Sequence, residues 1–129
     1  MLIIRSVDQL RQEMHTTADG PITLADIREH LTEEYRGKGL ACRQLIDASG
    51  ATIAFSPSDV RATVAILKRY GQEGVIGPTA IVVGNEFAYG MCRMLAILLD
   101  GVCELEPFRT NQEAERWLAD AHCSLGRSR

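Results

Sequence analysis

The feature that most constrains the fold is Thr79–Val83, a β-branched and almost wholly apolar run. A strand that is apolar at successive positions must be covered on both faces, as in the interior of a parallel sheet. Gly84 and Asn85 follow directly, and Asn85 is placed to cap a helix. A buried strand that leads straight into a helix is typical of α/β folds, so this class is expected here.

Other segments extend the same alternation. Strands are predicted over four further runs, namely Ile3–Val7, Leu10–Thr17, Cys42–Ala48 and Val102–Phe108. Gly20-Pro21 is expected to interrupt the chain, and Ser49-Gly50 is expected to turn it. Two glutamates and a proline within the last run favour an edge strand.

Four helices are predicted where a capping residue precedes apolar side chains at helical spacing, and their caps are Thr23, Ser56, Asn85 and Thr110. In the first helix the core-facing residues are predicted to be Leu24, Ile27, Leu31 and Tyr35. Its polar side is predicted to carry Arg28, Glu29, Glu33 and Glu34, with His30 on the flank. The resulting order is ββαβαβαβα, an α/β fold with right-handed crossovers.

Chain length and net charge limit the number of domains and the kinds of partner that can be expected. The chain has 129 residues, of which 46% are hydrophobic, and this suits one domain, expected over residues 1–124 with a tail at 125–129. A net charge of -3 argues against a nucleic-acid partner, which would require a basic surface. No apolar stretch is long enough to cross a membrane, so we expect no transmembrane segment and a cytoplasmic location.

Motifs for catalysis or metal binding do not emerge from the sequence. The cysteines at 42, 92, 103 and 123 form no C-x-x-C pair and are interpreted as buried structural residues. His15, His30 and His122 fall on different predicted elements. No H-E-x-x-H, G-x-S-x-G or nucleotide-binding glycine loop is present. We therefore expect no enzyme activity, no metal and no cofactor.

The third helix is the most apolar of the four. One face is predicted to carry Phe87, Met91, Met94, Leu95 and Leu98, and the opposite side Tyr89, Cys92, Ile97 and Leu99. A helix that is apolar all round must be covered twice, within the fold or by a partner. Phe87, Tyr89, Met91, Arg93, Met94 and Leu98 are therefore a candidate surface for a protein partner, a second copy of the chain or an apolar ligand. Arg93 is expected to pair with Asp59 or Glu86, or to face an anionic headgroup.

The order and local sequences resemble the STAS fold of anti-sigma-factor antagonists, and most closely the SpoIIAA-like family of bacterial proteins. The resemblance covers nearly the whole chain, and its segments are Gly20–Thr23, Leu45–Asp47, Ser56–Asp59, Ala80–Val83, Phe87–Met94, Val102–Phe108, Glu113-Ala114 and Trp117-Leu118. It implies a mixed, mostly parallel five-stranded sheet with about four helices. It also implies a non-catalytic, regulatory module that binds a protein partner.

The same resemblance implies a candidate switch. Some STAS domains are phosphorylated on a serine at the start of the helix after the third strand, and Ser56 is the nearest match, with Ser58 as an alternative. The antagonists usually have aspartate before that serine and Ser-Gly after it, whereas this chain has Phe55 and Pro57. Ser56 alone predicts a helix cap. Three hypotheses remain: a protein-binding module, which is favoured, a carrier of an apolar ligand or membrane-surface protein, and an unrecognised small enzyme.

Overall fold

A five-stranded sheet lies at the centre of the computed structural model, which describes residues 2–8, 10–37 and 39–121. The strands lie side by side in chain order: β1 (Leu2–Asp8), β2 (Glu13–Ile22), β3 (Arg43–Ile53), β4 (Thr79–Val83) and β5 (Leu105–Phe108). β1 and β2 are antiparallel, and every later neighbouring pair is parallel. The predicted mixed, mostly parallel sheet is confirmed, with β5 at an edge.

The helices begin at the predicted caps. They are α1 (Leu24–Arg36), α2 (Pro57–Glu73), α3 (Glu86–Leu98) and α4 (Asn111–Asp120), with one 3₁₀ turn at Gly39–Ala41. Each cap side chain accepts a hydrogen bond from the backbone three residues later, and Thr23 and Ser56 form complete capping boxes. The predicted order ββαβαβαβα is confirmed.

The two faces of the sheet carry different helices. On one face, side chains of α1, α2 and α3 pack together around Leu31, Val64 and Met91. On the other face α4 packs its Leu118 against Ala80 and other residues of the central strands. Alternate residues of β3 and β4 point to opposite faces, as strand geometry requires.

The Ser49-Gly50 turn prediction is wrong, because β3 continues through both residues to Ile53. The register with β2 shifts there, since Thr17 pairs with Asp47 but Asp19 pairs with Gly50. One extra residue in β3 is a β-bulge, which reverses the facing of the residues that follow. A Cβ at Gly50 would lie 2.2 Å from the Asp19 carboxylate oxygen, so any larger residue there would require the exposed Asp19 side chain to move.

Gly20-Pro21 likewise lies inside a strand and not at a break. Both residues pair with β3, through Ala51 and Thr52. Within the described residues, β1 pairs with β2 only as far as Asp19, so Pro21 has no described partner on the β1 side, where a proline is tolerated. β5 is shorter than predicted, because Val102 and Cys103 donate backbone hydrogen bonds to the Leu99 carbonyl instead of joining the sheet.

Candidate ligand-binding cavity

A cavity of about 180 Å³ lies between the sheet and helices α1, α2 and α3. Its walls are mostly apolar side chains from all five strands and from the three helices, among them Ile3, Ala18, Ile46, Ala48, Ile81, Leu105, Ile27, Leu31, Leu67, Ala88, Cys92 and Leu95. Small side chains at three inward positions of the wall explain the unfilled space, because alanine replaces the larger residues that usually fill a core. The three are Ala18 on β2, Ala48 on β3 and Ala88 on α3.

Two polar side chains line the cavity with an unpartnered atom. Thr16 on β2 and Gln44 on β3 are each only 3% exposed. Within the described part of the chain, Thr16 Oγ1 and Gln44 Oε1 have no hydrogen-bond partner. A buried polar group without a partner costs about 1–3 kcal/mol, and such groups are rare in folded proteins.

The orientation of the Gln44 amide follows from its neighbours. Its Nε2 donates to the Gly39 carbonyl oxygen at 2.6 Å. Rotating the amide by half a turn would place its oxygen against the Gly39 carbonyl oxygen, which can only accept a hydrogen bond. Oε1 is therefore the atom left without a partner in this part of the wall.

Two titratable residues of the cavity wall, His30 and Glu34, lie on α1, and Arg5 of β1 contacts the first of them. Arg5 Nε donates to His30 Nδ1 at 3.1 Å, and its guanidinium also contacts Glu33. Burial, with the Arg5 charge second, lowers the pKa of His30 to about 4, so its imidazole is neutral near pH 7. Burial also raises the pKa of Glu34, which is 4% exposed, although Arg5 and Gln44 oppose the shift.

The polar groups do not form a catalytic arrangement. His30 Nδ1 already accepts from Arg5, and Thr16 Oγ1 is bonded to no described base that could activate it. Burial raises the pKa of the Cys92 and Cys103 thiols to about 11, and a protonated thiol is a poor nucleophile. Nowhere in the described residues do three His, Cys, Asp or Glu side chains gather as a metal site would require.

Sequence reasoning missed His30 and Glu34, which it placed on the polar side of α1. Their signal was present, because Ile27, His30, Leu31 and Glu34 follow one another at helical spacing on a single face. Tyr35, predicted as core, is instead 42% exposed and stacks on Tyr70 at 4.5 Å.

The candidate surface on α3 is divided by the structure between interior and exterior. Of the predicted core face, Met91 is buried as expected. The other buried residues of α3, Ala88 and Cys92, each lie next to a position of that face in the sequence. Met94 and Tyr89 pack partly against the core, whereas Phe87 is 60% and Leu98 39% exposed. Their role in binding stays a prediction.

Arg93 on α3 pairs with neither of the two predicted residues, Asp59 and Glu86. Arg93 bonds to Glu106 of β5 at 3.1 Å. Glu86 is paired with Arg109 instead, and the Arg109 guanidinium lies 4.8 Å above the Tyr89 ring. The Asp59 carboxylate is engaged in the α2 capping box.

Ser56 and Ser58 lie together at the N-terminus of α2. Ser56 Oγ is 2.9 Å from Ser58 Oγ, and Asp59 caps the Ser56 backbone N–H at 2.9 Å. Both serines are exposed. The predicted cap is confirmed, and phosphorylation stays a prediction. His122, Cys123 and the predicted tail at 125–129 lie outside the described residues.

Among solved structures, the chain is similar to an uncharacterised protein of the DUF3478 family from Shewanella loihica PV-4, which has a SpoIIAA-like fold. The TM-score is 0.61 and the identity 18%, and the match covers 90% of this chain and 93% of that one. This chain has a SpoIIAA-like fold. The predicted resemblance is thereby confirmed at the level of the fold. No protein-family model matches the chain, and no curated protein does.

The SpoIIAA-like fold places the cavity under its three-helix layer. In the described part of this fold, no helix has the length and apolar character that crossing a membrane requires.

Proposed function

We propose that this chain is a non-catalytic binding module whose interior cavity holds a small, largely apolar molecule. The observation that carries the proposal is the cavity of about 180 Å³ with almost wholly apolar walls. Protein cores are normally packed to crystal-like density, and an apolar cavity of about 150 Å³ is large enough to bind benzene. This is the second of the three hypotheses from the sequence, a carrier of an apolar ligand. The proposed ligand site lies under α1, α2 and α3 together and not on α3 alone.

Benzene binding to the full chain tests the proposal. A titration followed by amide chemical shifts should perturb residues that line the cavity, such as Ile46 and Ile81. Ala48→Ile should abolish binding, because the larger side chain fills the space. The matched control is Thr52→Ile, which adds the same side chain at an exposed position of β3. Unchanged spectra, or equal binding to Ala48→Ile, would refute the proposal.

A second candidate function is regulation through a protein partner, as the STAS resemblance implies. The observation that favours it is the position of exposed Ser56, Ser58 and Phe87 at the starts of α2 and α3. Both helices follow parallel strands, so their starts lie at the same edge of the sheet, where binding sites of α/β folds collect. Phosphate at Ser56 would meet the free N–H groups of the α2 terminus.

The partner hypothesis is tested by comparing captured proteins for two variants. Phe87→Ser removes the exposed aromatic ring, whereas Ile4→Ser removes a similarly exposed apolar residue on β1. A regulatory surface at the α2 and α3 starts predicts that the first variant alone loses a specific partner. Equal loss, or none, would contradict it. Phosphopeptide analysis of Ser56 and Ser58 in cells tests the switch.

A further inference from the structure

The cavity's two unpartnered polar atoms indicate the chemistry of its ligand. We infer that the ligand is a small amphiphile with a neutral hydroxyl group, which Gln44 Oε1 and Thr16 Oγ1 bind at the polar end of the cavity. This inference rests on the proposed function and adds a headgroup to it. Both residues line the cavity, and both atoms are buried without a hydrogen-bond partner among the described residues.

The two residues are neighbours across the sheet. Thr16 pairs with Ile46, which lies two positions beyond Gln44 on the same face of β3. Adjacent strands are about 4.8 Å apart, so both side chains border the same part of the cavity. Gln44 Oε1 can only accept a hydrogen bond, while the Thr16 hydroxyl can donate one. A hydroxyl group is complementary to both, since it donates one hydrogen bond and accepts another.

Charged headgroups fit this end less well. A carboxylate cannot donate to Gln44 Oε1, and its desolvation among almost wholly apolar walls would be costly. The Arg5 guanidinium is already bonded to His30 and Glu33. An ammonium would also have to be desolvated, and the neighbouring Glu34 is a poor counter-ion because burial, which raises its pKa, disfavours its charged form. The rest of the wall is apolar, so the hydroxyl belongs to an otherwise apolar molecule.

Phenol, benzene and benzoate distinguish these headgroups on one ring. We expect phenol to bind the full chain about three- to ten-fold more tightly than benzene, the value of one or two neutral hydrogen bonds. Benzoate should bind most weakly. Equal affinity for phenol and benzene would overturn the hydroxyl inference and leave the proposed function standing. No binding of any of the three would overturn both, and tightest binding of benzoate would overturn the hydroxyl class.

Thr16→Val is the diagnostic variant, because valine keeps the shape and removes the hydroxyl. Benzene affinity should stay unchanged while the preference for phenol falls by at least two-fold. The Thr16 hydroxyl has no described partner, so the variant should also unfold at a temperature no lower than the wild type. A retained phenol preference, or a clear loss of thermal stability, would show that Thr16 Oγ1 does not serve the ligand.

Discussion

The two faces of the sheet are packed in different ways. On the α4 face, Ala80, Ala114 and Leu118 are at most 1% exposed and interlock with Val82 and Leu45. On the opposite face the three-helix layer is supported by alanines at Ala18 and Ala48, and a cavity remains. Among the described residues, the two buried polar side-chain atoms without a hydrogen-bond partner, Thr16 Oγ1 and Gln44 Oε1, belong to residues on the cavity face.

This difference separates stability from binding. The α4 face uses small and large residues in complementary positions, as cores do when a single packed state is the outcome. Side chains on the cavity face make fewer dispersion contacts, and the polar groups of Thr16 and Gln44 have no hydrogen-bond partner there among the described residues. Both features lower the stability of the fold. A fold can keep such a region when a ligand restores the lost contacts, because binding to the native state adds stability.

The largest expected effect is on the closely packed face. Leu118→Ala should lower the free energy of unfolding by about 2–5 kcal/mol, because it removes a fully buried side chain and leaves a new cavity. Chemical denaturation measures the change. Leu10→Ala is the control, since Leu10 is 97% exposed and its truncation should change stability by less than about 0.5 kcal/mol. A similar cost for both variants would contradict the packing difference.

The polar end of the cavity should make stability depend on pH. Unfolded His30 titrates near 6.5, whereas the folded protein keeps it neutral down to about 4. Between these values only the unfolded state holds the proton, so stability falls as pH decreases from about 6.5 to 4. His30→Gln removes this dependence, and we expect the wild type to lose about 3 kcal/mol more than the variant between pH 7 and 4.

Glu34 acts in the opposite sense on the same equilibrium. Its raised pKa means that the folded protein keeps a proton that the unfolded chain releases above about 4.5, so its contribution to stability decreases as pH rises. Comparing the wild type with His30→Gln cancels this effect, because Glu34 is present in both proteins. Parallel pH profiles of unfolding for the two proteins would show that His30 is not buried as described.

The same substitution on each face gives the most direct comparison. Ala80→Ile should destabilise the fold by about 1–3 kcal/mol, because the α4 face has no room for three more carbons. Ala48→Ile extends into the cavity instead and should leave stability unchanged or raise it by about 0.5–2 kcal/mol. Thermal and chemical unfolding of the pair measure both effects. Equal destabilisation would mean that the cavity face is as densely packed as the other.

Local sequence signals predicted the order of elements well. Each helix begins at a residue such as Thr23 or Ser56 that caps it by contacts within four residues, and those contacts can be inferred directly from the chain. The bulge in β3 could not be predicted in the same way. It depends on the register of β3 against β2, which lies far away in the sequence, so a Ser-Gly pair alone indicated a turn.

The cavity was beyond prediction for a similar reason. It exists because alanines from different elements, such as Ala18 and Ala88, face the same space, and their meeting depends on register and helix rotation. The burial of His30 and Glu34 was easier to predict than the cavity, because both residues follow Ile27 and Leu31 at helical spacing. The polar character of these two residues indicated the solvent-exposed side of α1, but tertiary packing buries them.

The smallest expected effect lies at the start of α2. Ser56→Ala should cost about 1 kcal/mol, because it removes the side chain that accepts the Asp59 N–H. Ser56→Asp should retain most of that stability, since aspartate caps helices as well as serine does, although its charge lies beside the Asp59 carboxylate. Denaturation midpoints compare the three proteins.

This pair also separates a cap from a switch. If Ser56 is only a cap, partner or ligand binding should be the same for wild type and Ser56→Asp once both are folded. If charge at this position is the signal, Ser56→Asp alone should change binding, because Ser56→Ala changes the cap without adding charge. Altered binding in the alanine variant alone would point to lost helix order, and the α2 start would then act through packing.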